Sequence, residues 1–167
     1  MATSLMIIRP AAPADRPNLR QAIIELQEYE RLRHDTRRPG AQIADAYLDW
    51  IERQAEANGV VLVAEYPDSF LGFVAGWIER TDNIAETADS NSFGYISDIC
   101  VMPDFRGKRI AAKLLDGIEQ YFRRQGVRRL RVGALAVNAS AQTSYEHAGF
   151  HPYEILYEKV LAEGGER

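Results

Sequence analysis

The sequence predicts an α/β (α+β) fold with one mixed, mostly antiparallel sheet that is flanked by helices. Three observations predict it. Two apolar runs around a short polar turn indicate a β-hairpin, and a strand–helix–strand unit follows this hairpin. With 167 residues, the chain is long enough for one hydrophobic core and too short for two ordinary domains. We therefore expect residues 1–167 to form a single domain, with residues 163–167 as a frayed tail.

The first half of the chain predicts one strand and two helices. Residues 6–9 form a short apolar run that ends at a proline. Asp15 is in the position of a helix N-cap, and apolar residues at helical spacing follow it as far as Glu30. A second helix is expected over residues 41–57, where Asn58-Gly59 would end it. Its apolar stripe consists of Ile43, Tyr47, Trp50 and Ile51.

The second half predicts the hairpin and the strand–helix–strand unit. The hairpin strands are residues 60–64 and 70–78. Residues 79–94 are polar, with four acidic side chains against one arginine, and predict an acidic loop. The remaining elements are a strand over 95–102, an amphipathic helix over 107–125, a strand over 130–136, a helix over 139–148 and a final strand over 153–161.

The composition is that of a globular protein, since 46% of the residues are hydrophobic and the 26% that are charged mix both signs. No apolar run approaches the roughly 18 residues that a membrane span needs, and no signal peptide is visible. The net charge of −4 argues against nucleic acid as the main partner. The single cysteine, Cys100, excludes an internal disulfide and a cysteine-rich metal site. We therefore expect a cytoplasmic protein with no metal and no nucleic-acid or membrane partner.

The connection after the 95–102 strand has the pattern of an anion site. The strand stops at Pro103, and a loop with Arg106 and Gly107 leads into a helix that starts among small residues. Free N–H groups and the positive dipole end of such a helix favour a phosphate. The neighbouring side chains that add charge or keep bulk away are Lys108, Arg109, Ala111 and Ala112. Taken alone, the segment could also be an ordinary connection with a solvated basic turn.

A second segment lies at the start of the 139–148 helix. Asn138 is a natural N-cap, and Tyr145 lies seven residues later, two turns along the same face. Both side chains could therefore border one ligand. The alternative is that Tyr145 is a packing residue.

Together, the two segments resemble the GCN5-related N-acetyltransferase (GNAT) family. The family's pyrophosphate signature, Gln/Arg-x-x-Gly-x-Gly/Ala, lies over residues 106–111. Its later pattern, Asn-x-x-Ala-x-x-x-Tyr followed by Gly-Phe, is met by Asn138, Ala141, Tyr145, Gly149 and Phe150. One position departs from the signature, because its glycine is Arg109 here. A side chain at that position could crowd the phosphate or pair with it.

The resemblance implies an enzyme that transfers acetyl directly from acetyl-CoA to a primary amine. Two central strands would splay apart and take pantetheine between them, beside Ile99, Cys100 and Val101. The phosphate-binding residues would be Arg106, Gly107, Lys108, Arg109, Ile110, Ala111 and Ala112, with Asn138 and Tyr145 on the other side of the cofactor. Tyr145 would protonate the departing thiolate.

The acceptor amine must be neutral to react, and an amine with a pKa near 10.4 is neutral in only roughly one molecule in 2,500 at pH 7. Asp98 is the candidate base, because some relatives that acetylate polyamines carry an acidic pair at positions 97 and 98. Here position 97 is Ser97. Asp98 could equally be a structural carboxylate, and Glu65 is a weaker alternative base. We expect Cys100 to be a buried packing residue rather than an acetyl carrier.

The acidic 79–94 loop favours a small cationic amine as acceptor. Two alternatives remain open: acetylation of a protein N-terminus or lysine, and a non-catalytic CoA-binding module. A homodimer is expected, as it is common among the family's relatives.

Overall fold

The computed structural model describes residues 5–161. Within them lie five strands: β1 (Ile7–Pro10), β2 (Gly59–Tyr66), β3 (Ser69–Arg80), β4 (Ser92–Val101) and β5 (Leu130–Val132). The α-helices are α1 (Arg16–Arg31), α2 (Gly40–Asn58), α3 (Ile110–Arg124) and α4 (Ala139–His147). Short 3₁₀ turns, Pro13–Asp15 and Pro103–Phe105, precede α1 and follow β4.

The strands form one sheet in the order β1-β2-β3-β4-β5. All neighbouring strands are antiparallel except β4 and β5, which are parallel. This confirms the predicted mixed, mostly antiparallel sheet. Helices α1 and α2 cover one face through a cluster that includes Leu48, Ile51 and Phe73. Helix α3 covers the other face through a cluster that includes Ile118 and Phe122.

A β-bulge in β4 determines which of its side chains face which helices. Ala75 of β3 pairs with Asp98, whereas the next residue, Gly76, pairs with Ile96. Ser97 is therefore an extra residue on β4. Because side chains alternate between the two faces of a strand, one extra residue reverses the alternation. Ile96 packs on the α3 side, while Cys100 packs on the α1–α2 side.

The same strand leaves its parallel neighbour early. Strand β5 pairs with β4 only at Gly94, Tyr95 and Ile96. From Ser97 to Val101, β4 has no pairing with β5, so the two strands splay apart. This confirms the predicted splay.

Three expectations from the sequence are wrong, and a fourth is met only in part. Residues 153–161 have no regular secondary structure and do not form the predicted final strand. Strand β5 ends at Val132, four residues before the predicted end, because the splay removes its pairing partner. The polar loop is shorter than 79–94, since β3 continues to Arg80 and β4 begins at Ser92. Asp15 is at the N-cap position of α1 as predicted, but its side chain makes no capping hydrogen bond; its carboxylate accepts the N–H of Ala12 and binds Arg9, both at 2.7 Å.

The expected frayed tail, residues 163–167, lies outside the described residues. Over residues 5–161, no helix is long and apolar enough to cross a membrane.

Candidate active site

Residues 106–109, directly before α3, are the candidate phosphate loop, and two of them have a left-handed backbone. Gly107 has φ +75°, and Arg109 has φ +61°, in the left-handed region. Arg109 is the one non-glycine residue with a positive φ in the described part of the chain. It occupies the signature's glycine position and takes up a glycine-like conformation. For a residue with a Cβ this conformation costs about 1–2 kcal/mol.

Helix α3 begins directly after Arg109 and presents free backbone donors to the loop. The N–H of Lys113 donates to the carbonyl of Arg109 at 3.2 Å. The amides of residues 110–112 precede this first intrahelical bond, so the helix supplies them with no acceptor. With the helix dipole behind them, these amides have the geometry that favours an anion.

Arg106 connects this loop to the open edge of β4. Its Nε–H donates to the carbonyl of Val101 at 3.0 Å, and its guanidinium lies 5.4 Å from the ring centre of Tyr29. The N–H of Met102 donates to Leu71 on β3 at 2.9 Å. Because backbone groups alternate along a strand, those of Val101 and Ile99 face the splay instead. Among residues 5–161, these backbone groups of β4 therefore have no strand partner.

Asn138 and Tyr145 belong to the helix that follows β5, the first as the N-cap of α4 and the second within it. The Oδ1 atom of Asn138 accepts the N–H of Ala141 at 3.2 Å, which caps α4, and it also accepts the hydroxyl of Tyr29 at 3.4 Å. Tyr145 is partly buried, with its ring 6.0 Å from that of Phe150. Burial raises the pKa of Tyr145 to about 12. Its hydroxyl therefore keeps its proton at neutral pH.

Asp98 is buried, with 7% of its surface exposed, and it is bound by two hydroxyl groups. The hydroxyl of Tyr47 on α2 donates to both carboxylate oxygens, at 3.0 and 3.2 Å, and the hydroxyl of Ser97 donates to Oδ2. Burial raises the pKa of Asp98 to about 6, although both hydroxyl groups act to lower it. The carboxylate of Glu30 on α1 raises it further. Asp98 is thus ionised at neutral pH but basic enough to take a proton.

Tyr47, which binds Asp98, was predicted from the sequence only as part of the apolar stripe of α2. Its ring does pack there, stacked on Trp50 with ring centres 5.4 Å apart. Trp50 meets the buried Trp77 edge-on at 5.0 Å, and Trp77 meets Tyr95 at 5.9 Å. These four rings form a contiguous aromatic cluster that contacts Asp98 through Tyr47. The sequence indicates a polar role for this position only in that it is a tyrosine, which has a hydroxyl group, and not a leucine.

The other predicted acidic groups have partners of their own. Glu65 makes two hydrogen bonds with Arg9, at 2.9 and 2.7 Å, which marks it as an ion-pair residue of the sheet. Glu79 accepts the indole N–H of Trp77 at 2.6 Å. In the loop, Asp89 binds Arg129 at 2.9 Å, and Glu86 accepts the hydroxyl of Tyr153 at 3.3 Å. The loop therefore attracts cations less strongly than its acidic composition suggests.

Cys100 is buried within the cluster under α1 and α2. Burial raises its thiol pKa to about 12, so the reactive thiolate is almost absent at neutral pH. This confirms the packing role expected for Cys100. Among residues 5–161, no group of three or more His, Cys, Asp or Glu side chains could hold a metal ion.

The region thus combines the splayed strands β4 and β5, a left-handed loop before α3, and the α4 segment with Asn138 as its N-cap and Tyr145 within it. Residues 23–150 match the acetyltransferase (GNAT) family. The chain belongs to this family.

Solved structures of GNAT proteins share the fold. An aminoglycoside N-acetyltransferase, AAC(6')-Iy, in complex with CoA superposes with a TM-score of 0.73 at 21% identity, over 93% of this chain and 95% of that one. A GCN5-related N-acetyltransferase from Ralstonia eutropha superposes with a TM-score of 0.72 at 20% identity, over 93% and 99%.

One curated relative is similar in sequence. It is the uncharacterized N-acetyltransferase YycN of Bacillus subtilis strain 168, and it is 30% identical over 88 residues. The match includes 53% of this chain and 54% of the relative, so the chain spans about half the length of the relative it matches.

Proposed function

We propose that this chain is a cytoplasmic N-acetyltransferase that transfers acetyl directly from acetyl-CoA to a primary amine, most favourably a small cationic amine. The observation that carries the proposal is the geometry of β4. Its open backbone edge leads to the phosphate loop at Arg106, and the bulge at Ser97 turns Asp98 toward the opposite helices. One strand thus serves the acetyl donor with its backbone and the amine with a side chain.

The donor would bind along the splay. The amides of residues 110–112 and the side chains of Lys108 and Arg109 would hold the diphosphate. The backbone groups of Ile99 and Val101 would bond to pantetheine as a neighbouring strand would. For this, the Arg106 guanidinium would leave the Val101 carbonyl and become available to a phosphate oxygen.

The reaction needs a proton acceptor and a proton donor. The amine arrives as an ammonium, and Asp98 accepts its proton. The amine nitrogen then attacks the thioester carbonyl carbon, and the C–S bond breaks as the tetrahedral intermediate collapses. Tyr145 donates its proton to the departing thiolate and regains one from the amide nitrogen as that nitrogen becomes neutral. A base with a pKa near 6 is well matched to neutral conditions, where it is ionised and still accepts a proton.

The partly exposed rings of Tyr47, Trp50 and Tyr95 favour a cationic acceptor, because ring faces attract ammonium groups. The Asp98 carboxylate, which is bonded to Tyr47, adds negative charge. Among the structural neighbours, AAC(6')-Iy has been solved with the bisubstrate analog CoA-S-monomethyl-acetylneamine, at a TM-score of 0.68 and 20% identity over 95% of this chain and 100% of that one. That fold therefore accommodates a small amine acceptor together with CoA.

An acceptor screen tests the proposal. Thiol release from acetyl-CoA would be measured with a polyamine, an aminoglycoside, a neutral amine, an acidic amine and a lysine-containing peptide. We expect the highest kcat/KM with the cationic small molecules. A preference for the peptide would favour protein acetylation instead. CoA binding without turnover of any amine would identify a non-catalytic CoA-binding module.

A further inference from the structure

A second carboxylate contacts the aromatic cluster on the same face of the sheet as Asp98. Glu79 is a residue of β3, four positions after Ala75, which pairs with Asp98. Side chains two and four residues apart share one face of a strand. The indole N–H of Trp77 donates to Glu79 at 2.6 Å. Two carboxylates therefore contact the cluster, Asp98 through Tyr47 and Glu79 through Trp77.

Tyr95 lies between the two carboxylates. On β4 it is three residues before Asp98, and it pairs with Trp77, two residues before Glu79. Burial raises the pKa of Tyr95, and the charges of Asp98 and Glu79 raise it further. The rings of Tyr95 and Trp50 are partly exposed, so they offer an apolar surface between the two charges on which a methylene chain can pack.

Glu79 keeps its negative charge without a cationic partner in the described part of the chain. Its hydrogen bond comes from a neutral indole, whereas Glu65 binds an arginine. The cation on the neighbouring strand, Arg131, donates to Oγ of Ser90 at 2.7 Å and lies 3.9 Å from the ring centre of Phe93. Over residues 5–161, Glu79 thus forms no ion pair, and its remaining lone pairs are available to an ammonium group of a ligand.

The register of the strands determines the distance between the two charges. Glu79 is four residues beyond Ala75, and Ala75 lies opposite Asp98, so the two acidic positions are roughly 13 Å apart along the strand. An ammonium nitrogen lies about 2.8 Å from a carboxylate oxygen. Two amino groups held on the inner sides of these carboxylates are therefore roughly 8 Å apart, the span of an extended chain of roughly five to seven methylene groups.

We propose that the acceptor of this enzyme is a diamine, with its reacting amino group at Asp98 and its second ammonium group at Glu79. The inference rests on the proposed acetyl transfer and narrows its acceptor class to molecules with two amino groups roughly 8 Å apart. Between these groups, the methylene chain packs on the rings of Trp50 and Tyr95. The second group stays protonated throughout, because only the nitrogen that attacks the thioester gives up a proton. Glu79 is thus a binding residue that selects the length of the acceptor.

A series of α,ω-diamines measures this length directly. Thiol release from acetyl-CoA would be followed with the series from diaminopropane to diaminodecane and with the monoamine of each chain length. We expect the ratio of kcat/KM for the diamine to kcat/KM for the monoamine to peak near diaminohexane and to reach roughly 10-fold, because only the diamine forms the second ammonium–carboxylate bond. A ratio that stays near the statistical factor of two at every length would overturn the inference.

Variants of Glu79 test whether this residue sets the length. Glu79→Asp withdraws the carboxylate by one methylene group, so the peak should move to a longer diamine by about one methylene group. Glu79→Gln keeps an acceptor for the Trp77 indole but removes the charge, and it should return the ratio to the statistical factor. Because both substrates are measured on the same protein, the ratio does not depend on how much of a variant is folded.

Asp82→Asn is the matched control. It removes one negative charge from an exposed residue of the adjoining loop, and it should leave the peak and the ratio as they are. If it lowers the ratio as much as Glu79→Gln does, the attraction is general and Glu79 is not the binding residue. If diamines and monoamines are acetylated equally well, acetyl transfer stands and only this inference fails. If no amine of any length releases thiol, the proposed acetyl transfer fails as well.

Discussion

Arg109→Gly changes a residue that holds a left-handed backbone conformation, with φ +61°. A residue with a Cβ in this region destabilises the fold by about 1–2 kcal/mol. Replacing it with glycine removes this strain, but the greater freedom of glycine in the unfolded chain destabilises the fold by about 0.5–1 kcal/mol. The net result is a stabilisation of about 0.5–1 kcal/mol. For a chain of this size, we expect the Tm to rise by about 1–4 °C.

Calorimetric unfolding of the protein without CoA would measure this rise. Lys108→Gly is the matched control, because it removes a neighbouring basic side chain from a residue without a positive φ. It should leave the Tm unchanged or lower it. If Arg109→Gly lowers the Tm as much as Lys108→Gly does, then φ at Arg109 carries no strain and the reasoning fails.

The same variant should weaken CoA binding while it stabilises the fold. We expect the Arg109 guanidinium to pair with a phosphate, and a charged hydrogen bond of about 1.5–3 kcal/mol corresponds to a loss of roughly 10- to 100-fold in affinity. Titration calorimetry at two salt concentrations should then show weaker binding with a shallower salt dependence. Equal or tighter binding would mean that Arg109 crowds the phosphate.

Three further variants test the proposed chemistry. Tyr145→Phe should lower kcat about 10-fold or more and leave acetyl-CoA affinity nearly intact; an unchanged kcat with chemistry rate-limiting would remove Tyr145 from the mechanism. Asp98→Asn should lower kcat and raise KM for cationic amines, and it should raise stability above pH 6 by about 1–3 kcal/mol. The pKa of Asp98 is about 6 in the folded protein and about 4 in the unfolded chain, so the folded protein loses stability as the pH rises from about 4 to 6. A variant with lower stability and unchanged kinetics would instead show that Asp98 has a structural role. Tyr47→Phe removes a hydrogen bond to the charged carboxylate, so the acidic limb of kcat/KM should move up by about one pH unit or more. Tyr121→Phe, which removes a hydroxyl that donates to Gly59 at 2.9 Å, should not move that limb.

The elements as far as residue 150 were predictable because their signals are local. Helical spacing identified α1, α2 and α3, and the two apolar runs identified β2 and β3. The final strand could not be decided in this way. Residues 153–161 have the composition of a strand, but a strand forms only where a partner edge is available, and that depends on distant parts of the chain.

The phosphate loop was predictable, whereas the surroundings of Asp98 were not. The strand end at Pro103 and the basic turn before a helix indicated where the loop lies, although the left-handed backbone of Arg109 was not predicted. The role of Tyr47 depends on the bulge at Ser97, which turns Asp98 toward α2. A bulge adds one residue to a pairing register, and a single sequence does not reveal the register.

The bulge at Ser97 also separates the part of β4 that would recognise the acetyl donor from the side chains that would recognise the acceptor. The donor would be recognised by backbone groups of Ile99 and Val101, which are the same for any residue except proline. The acceptor would meet the side chains of Tyr95 and of the base Asp98, and of these two only Tyr95 can vary without loss of the base. Substitutions at Tyr95 can therefore change the amine specificity without disturbing the backbone edge that would bind CoA. A strand of this design lets a lineage of enzymes diversify its acceptors while the acetyl donor stays the same.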